Sequence, residues 1–167
     1  MHCPGDPGHG SRFVENTAAE KARYIINKML DYREVQRKRL EENSDLSLGD
    51  VNTINLTMMN GGVQANVVPD KLILTFDVRI TPTSDLKGKF KFKCLLLTSF
   101  YLEFEDMIRQ WMSEAGPGLE MIFIQKMMDQ SITSVDESDM WYGPLKKAFD
   151  KVGMLQEVYI PAISYPC

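Results

Sequence analysis

Residues 71–80 read Lys-Leu-Ile-Leu-Thr-Phe-Asp-Val-Arg-Ile, and this stretch decides the fold. Its apolar side chains recur at every second position, and they are Leu72, Leu74, Phe76, Val78 and Ile80. A period of two places alternate side chains on opposite faces of a β-strand. The pattern therefore predicts a strand with one buried face, which another apolar layer has to cover.

A shorter alternation precedes this stretch. Ile54, Leu56 and Met58 alternate with polar residues, and Asn60-Gly61-Gly62 follows as a turn. Two runs of this kind joined by a glycine-containing loop are typical of paired antiparallel strands. The two runs predict an antiparallel pair with one apolar face.

Two segments of helical periodicity predict the cover for that face. Thr17-Ala-Ala-Glu20 has the pattern of a capping box, and it opens a helix predicted over about residues 17–42, with Lys21 on its polar side. The apolar stripe of this helix is Ala18, Ala22, Ile25, Met29 and Tyr32. A second helix is predicted from about Glu103 to Gly116-Pro117-Gly118, which would end it.

A further strand is predicted at Leu119–Gln125, and Met1–Asp6 is predicted to be the remainder of an opening strand. The resulting order predicts an α+β fold of the ferredoxin-like two-layer sandwich type. In that fold two helices cover one face of an antiparallel sheet, and here we expect the first strand to be truncated.

The segment Gly88–Leu102 interrupts this order inside a predicted first domain of residues 1–127. It joins a Lys/Phe alternation to an apolar run, which predicts an extra strand or an exposed apolar loop. We hypothesise that it is a retained intron or a gene-model error. Transcript reads that join the codons of Lys87 and Glu103 would support this, and peptides mapped within 88–102 would contradict it.

Residues 128–167 are predicted to begin a second domain, which is truncated. A polar linker is followed by a short amphipathic helix at Pro144–Val152 and a strand at Glu157–Ile160. A helix–strand unit of this size cannot bury its own apolar face, so we expect further chain to complete it.

Composition excludes several classes of protein. The formal net charge is −4, so the basic excess of a nucleic-acid-binding surface is missing. The three cysteines are far apart and form no Cys-x-x-Cys pair, which fits a reducing compartment. No signal peptide or membrane-length apolar run is present, and we expect a cytoplasmic protein without a membrane partner.

Three residues are candidates for chemistry. His9 lies between two glycines in Pro7-Gly8-His9-Gly10-Ser11, where an imidazole can project and donate to a developing oxyanion. Arg79 lies on the polar side of its strand and could hold a carboxylate, and Asn66 could donate an amide hydrogen bond. On residue type and spacing alone, the favoured interpretation of His9 and Arg79 is a surface side chain, and Arg79 could simply pair with Asp77. Asn66 could likewise only satisfy the hydrogen bonds of its loop.

A zinc site is not predicted on this chain. A catalytic zinc ion typically has three protein ligands, whereas the only histidines are His2 and His9, and Cys3 adds a weak third candidate. No nucleophile elbow, P-loop or dinucleotide fingerprint occurs. Composition and motifs thus leave the residues without an assigned reaction.

Several short motifs in order resemble one family. Pro7-Gly-His-Gly-Ser-Arg-Phe13, Thr17-Ala-Ala-Glu-Lys21, Asn66-Val-Val-Pro69 and Phe76-Asp-Val-Arg79 together resemble the lid domain of aminoacylases. These enzymes belong to the zinc metallopeptidase family that includes glutamate carboxypeptidase. The resemblance covers nearly the whole chain except Gly88–Leu102 and the last five residues.

The resemblance implies both a fold and roles for the candidate residues. It implies that residues 1–127 are a ferredoxin-like lid, or dimerisation, domain through which two subunits pair, and that residues 128–167 begin a truncated α/β catalytic domain. It implies that His9 helps to stabilise the tetrahedral intermediate in the partner's active site, that Asn66 contacts substrate, and that Arg79 binds the substrate carboxylate. It also implies zinc ligands that lie before and after residues 1–167, so that no cofactor belongs to this chain itself.

We therefore expect the lid and dimerisation domain of a zinc-dependent aminoacylase that hydrolyses N-acyl-L-amino acids, a fragment that is inactive alone and forms a homodimer or pairs with the full-length enzyme. One alternative is a chain that is hydrolytically active as it stands, which zinc-dependent hydrolysis of an N-acetyl amino acid would demonstrate. Another is a stand-alone interaction module for full-length aminoacylase, which co-purification would favour.

Overall fold

The computed structural model describes residues 1–81, 93–126, 136–153 and 163–166. A short 3-10 helix at Leu48–Asp50 precedes the third strand. In chain order the other elements are β1 (His2–Pro4), β2 (Gly8–His9), α1 (Ala18–Glu41), β3 (Thr53–Gly61), β4 (Val67–Val68), β5 (Lys71–Ile80), α2 (Lys93–Ala115), α3 (Tyr142–Lys151) and β6 (Ile163–Pro166). No helix among these described residues is both long and apolar enough to span a bilayer.

β5 is the central strand of an antiparallel sheet. β3 pairs along one of its edges, from Thr53 opposite Arg79 to Gly61 opposite Leu72. The other edge is shared, because β1 pairs with residues 71–73 and β6 pairs with residues 77–80. Helices α1 and α2 pack against each other, and α1 also contacts β1, β3 and β5. The arrangement confirms the predicted α+β, ferredoxin-like fold.

The strand predicted at Leu119–Gln125 is reduced to a single bridge. Glu120 pairs with His2 through two backbone hydrogen bonds of 2.8 and 3.0 Å, and the residues after Glu120 form no strand. Since β1 spans only His2–Pro4, it offers a short edge to a neighbouring strand. The prediction of a full strand was wrong, although the bridge lies on the outer side of β1, where the ferredoxin-like order places the last strand.

The first helix begins as the capping box predicts. The Thr17 hydroxyl accepts from the Glu20 amide at 3.2 Å, and the Thr17 amide donates to the Glu20 carboxylate at 3.0 Å. Lys21, predicted on the polar face, is instead buried, and its Nζ donates to the Pro117 carbonyl at 2.8 Å. A lysine stem is apolar, so it can lie in the core while its ammonium group reaches a carbonyl beyond the end of α2.

The apolar alternation of β5 is confirmed, because Leu74, Phe76, Val78 and Ile80 are all buried in the core. The alternation predicted for β3 holds for Ile54 and fails at Met58, which is 56 % exposed. The register with β5 shifts between Leu56 and Met58. A β-bulge of this kind inserts an extra residue and moves the following side chains relative to the core.

Helix α2 begins at Lys93, ten residues before its predicted start at Glu103. The prediction of a strand or loop over Gly88–Leu102 is therefore wrong for residues 93–102, while 88–92 lie outside the described residues. No glycine or proline interrupts residues 93–115, so the helical periodicity can extend backwards through the apolar run. α2 ends at Ala115, before Gly116 with a φ of +125°, as predicted.

The region after residue 128 is described in part. Helix α3 spans Tyr142–Lys151, close to the predicted helix, whereas the strand predicted at Glu157–Ile160 lies outside the described residues. Trp141 and Val152, at the two ends of α3, are 76 % and 67 % exposed. The apolar residues at these helix ends thus face solvent.

Candidate functional site

A two-stranded ribbon brings two of the three predicted site residues together. β2 pairs with β4 so that His9 lies opposite Val67, and the Gly10 amide donates to the Asn66 carbonyl at 2.8 Å. Both His9 and Asn66 are exposed. A Cβ atom at Gly10 would lie 3.2 Å from the Asn66 oxygen, so glycine permits this close backbone approach. The ribbon therefore places the backbones of His9 and Asn66 next to each other, with both side chains exposed.

The imidazole of His9 is held by its own loop. Its Nδ1 lies 2.8 Å from the Ser11 hydroxyl, and the Ser11 amide donates to the same nitrogen at 3.3 Å. The Arg12 amide donates to the His9 carbonyl at 3.0 Å and closes the turn. Within the described part of the chain, Nε2 of His9 makes no hydrogen bond. The ring is thus anchored on one side and open on the other.

Arg79 lies in a different environment. It is exposed on β5, and its Nε donates to the Asp77 carboxylate at 3.1 Å. It lines a cavity of about 370 Å³ between α1 and the strands β3 and β5. Arg33 and Arg37 of α1 line the same cavity, and Arg33 Nε donates to the Asn55 carboxamide at 3.2 Å.

Three guanidinium groups give this cavity a cationic wall, but they are engaged to different extents. Arg37 binds the carboxylates of Glu34 and Glu41, and the hydrogen bonds that Arg37 donates to Glu34 raise the pKa of Arg37 and lower that of Glu34. Arg79 and Arg33 keep donor atoms beyond their bonds to Asp77 and Asn55. A planar carboxylate is the chemical group that such free guanidinium donors suit best.

The structure does not bring Arg79 to His9 and Asn66 within one chain. The β2–β4 ribbon adjoins the Lys71 end of β5, and Arg79 lies near the other end of that strand. At about 3.4 Å per residue, Lys71 and Arg79 are about 27 Å apart along the strand. One small substrate therefore cannot contact all three residues of the same chain.

The described residues do not fit a metal site. No group of three or more histidine, cysteine, aspartate or glutamate side chains in the described ranges is placed to hold an ion. Cys3 is a free, fully buried thiol, and burial raises its pKa, so it is a poor donor to a metal. His2 instead faces Glu120 at 3.7 Å, and His9 lies in the exposed ribbon.

Sequence reasoning missed two features of these sites. Ser11 is part of the predicted loop, but its pairing with His9 was not predicted. In a tight turn, a hydroxyl two residues from a histidine can reach the imidazole. Arg33 and Arg37 are one helical turn apart, which the sequence does reveal. Their position beside Arg79 depends on how α1 packs on the sheet, and no local pattern predicts it.

Comparison with known proteins identifies relatives of the chain. The family model described as the peptidase dimerisation domain matches residues 1–91. Aminoacylase-1 of Sus scrofa is 40 % identical over 156 residues, which cover 93 % of this chain and 34 % of that protein. Aminoacylase-1 of Homo sapiens is 35 % identical over 153 residues, covering 92 % of this chain and 34 % of that protein. The chain thus spans about a third of the length of the relatives that it matches.

Proposed function

This chain belongs to the peptidase dimerisation domain family, in its aminoacylase-1-like branch, and on that premise we propose that it pairs with a second copy through the outer edge of β3. In the complete enzyme, the pair would serve the hydrolysis of N-acyl-L-amino acids. The observation that supports the proposal is that the outer edge of β3 is long and uncharged and has no strand partner among the described residues.

The edge is long, uncharged and open. β3 ends the order β1-β5-β3, so within the described residues its outer edge has no strand partner. None of the nine residues Thr53–Gly61 is charged, and Met58 and Met59 are each 56 % exposed. Edge strands that stay unpaired usually carry lysine, proline or other devices that block pairing. An edge that lacks charge and proline is suited to accept another strand.

A second copy of β3 suits this edge because pairing about a two-fold axis is isologous. Two β3 strands would align antiparallel, and the two sheets would form one continuous sheet. The same two-fold axis reverses the direction of the partner's β5. The His9–Asn66 end of one copy would then lie at the Arg79 end of the other.

This pairing accounts for the separation of the three residues. In the continuous sheet, β5 and the partner's β5 would be three strand spacings apart, about 14 Å, whereas Lys71 and Arg79 of one β5 are about 27 Å apart. We propose that Arg79 of one copy binds the substrate carboxylate, while His9 and Asn66 of the other copy donate to the acyl end. The free donors of Arg79 and the open Nε2 of His9 support these roles.

Zinc belongs to this proposal only as a property of the complete enzyme. The described residues do not fit a zinc site, so no step is assigned to zinc on this chain. We accordingly expect the chain alone not to hydrolyse an N-acetyl amino acid. We also propose that residues 1–127 form the lid and that residues from 128 onward begin the catalytic domain, whose remainder would cover the exposed Trp141 and Val152.

The decisive experiment introduces like charges on the β3 edge. The double substitution Met58→Lys with Met59→Lys places four lysines, two from each copy, close together across the two-fold axis. It also removes the apolar contact between the methionines. We expect the dimer dissociation constant to rise at least about a hundredfold. The matched control is Ile122→Lys with Ile124→Lys, which makes the same charge change at exposed positions after the Glu120 bridge.

Sedimentation equilibrium of the full chain measures both variants. A wild-type dimer that the β3 variant dissociates and the control leaves intact supports the proposal. A wild-type chain that stays monomeric at high micromolar concentration, or equal effects of the two variants, contradicts it. If the chain instead pairs only with added full-length aminoacylase, the interaction-module alternative replaces the homodimer.

A further inference from the structure

We propose that Ser11 is a positioning residue for His9, which fixes the imidazole in the tautomer that carries its proton on Nε2. The loop thereby presents an N–H donor, rather than a lone pair, on the open side of the ring. This inference rests on the proposed function for what the donor binds, and on the described contacts for the tautomer itself.

The backbone of Ser11 carries the argument. An amide N–H can only donate, and that of Ser11 is directed at Nδ1 of His9 at 3.3 Å. A proton on Nδ1 would point at that N–H hydrogen, so Nδ1 has to be the acceptor. In a neutral imidazole the proton is then on Nε2.

The Ser11 hydroxyl reinforces the same choice. Its oxygen lies 2.8 Å from Nδ1, and a hydroxyl can rotate so that it donates or accepts. Because the amide already requires Nδ1 to be an acceptor, the hydroxyl has to donate as well. Two donors from one residue thus converge on a single ring nitrogen, which is the arrangement by which a neighbouring group sets a histidine tautomer.

The loop is built so that these donors stay in place. The amide of Gly10 is tied to the Asn66 carbonyl, and the amide of Arg12 is tied to the His9 carbonyl. At the start of the ribbon, Val14 packs so closely on Gly8 that an added Cβ atom would lie 2.5 Å from its Cγ2. Ser11 therefore sits in a turn whose backbone is held on both sides, so its amide keeps its direction while the ribbon is intact.

The fixed tautomer has a chemical consequence for the site. An Nε2–H group on the open side of His9 can donate to a substrate oxygen that gains negative charge during hydrolysis. A ring with its proton on Nδ1 would instead present a lone pair, which repels such an oxygen. Ser11 acts through His9 and itself touches no substrate in this scheme.

The test uses two-dimensional long-range ¹H–¹⁵N spectra of the full chain at pH 8, which distinguish protonated from unprotonated ring nitrogens. The chain contains only two histidines, so His2 serves as an internal control, and a His2→Gln variant assigns the signals. We expect wild-type His9 to show an unprotonated Nδ1 and a protonated Nε2.

Two substitutions then separate the hydroxyl from other effects. Ser11→Ala removes one neutral hydrogen bond, and we expect the ratio of the Nε2–H to the Nδ1–H form to fall about fivefold. Ser11→Thr keeps a hydroxyl and should restore the wild-type ratio. The signals of His2 should stay unchanged in both variants, which shows that the fold is intact.

A wild-type His9 with its proton on Nδ1, or a tautomer ratio that Ser11→Ala leaves unchanged, would overturn the inference. These spectra need neither a substrate nor a dimer. A failure of the β3 dimer experiment with the expected tautomer refutes the proposed function and leaves the role of Ser11 on His9 standing. If the β3 experiment gives the expected dimer and the spectra give the wrong tautomer, only the role of Ser11 is refuted.

Discussion

Replacement of Ile25 by alanine tests the core on which both sites depend. Ile25 is 0 % exposed on the inner face of α1, in one cluster with Phe76 of β5 and Ile108 of α2. Truncation of a fully buried isoleucine to alanine costs about 2–5 kcal/mol through lost transfer energy and the cavity that remains. Alanine recovers about 0.4 kcal/mol of helix propensity, so we expect a net loss of about 3 kcal/mol.

That loss is measurable by urea denaturation followed by circular dichroism. With an m-value of about 2 kcal/mol per molar urea, the midpoint should fall by about 1.5 M. Two matched variants grade the effect. Ile26→Ala truncates a partly buried neighbour and should cost about 1 kcal/mol, whereas Ile124→Ala truncates a side chain that is 69 % exposed and should cost less than about 0.5 kcal/mol.

The order of the three variants is the critical result. If Ile25→Ala and Ile124→Ala shift the midpoint equally, α1 does not pack on the sheet through the face described here. A shift for Ile25→Ala below about 0.3 M would refute the reasoning in the same way. A change in m-value without a change in midpoint would point to the unfolded state instead.

Two further predictions concern titratable groups. Hydrogen bonds from Thr17 lower the pKa of Glu20 below its ordinary value of 4.5, so the capping box stabilises α1 fully above pH 4.5 and loses that contribution as pH falls through the lower folded pKa. A side-chain carboxyl ¹³C titration of Glu20 with a midpoint at or above 4.5 would contradict this. Burial raises the pKa of Cys3, so we expect iodoacetamide at pH 7.5 to alkylate Cys3 at least about tenfold more slowly in the folded chain than in urea. Mass spectrometry of the Cys3 peptide measures both rates, and equal rates would contradict the burial of Cys3.

The comparison of α1 with β3 explains which local predictions succeed. The capping box at Thr17 and Glu20 and the inward stripe of α1 both depend on residues within a few positions of each other, and both were predicted correctly. The bulge after Leu56 depends on how β3 pairs with β5, so the exposure of Met58 could not be predicted from alternation. The prediction that Lys21 lies on the polar face of α1 failed for a similar reason, because the carbonyl that accepts from Lys21, at Pro117, is 96 residues away.

The candidate site shows the same division. The motifs around His9, Asn66 and Arg79 mark residues worth examining, and their order along the chain supports the family assignment. Those motifs do not predict that His9 and Asn66 lie next to each other, or that Arg79 lies near the far end of β5. Those distances arise from strand pairing between β2 and β4 and from the length of β5.

The amino-acid sequence by itself determined the fold class, the bounds of α1, the buried face of β5 and the family to which the chain belongs, because each depends on periodicity, capping or ordered motifs along the chain. Only the tertiary structure decided that the outer edge of β3 has no strand partner among the described residues, that Arg33 and Arg37 lie beside Arg79, and that the Ser11 amide donates to His9. The physical reason is that strand edges, cavity walls and hydrogen-bond directions are set by contacts between segments remote in sequence or by backbone orientation. Residue type and spacing along the chain specify neither those remote contacts nor the backbone orientation.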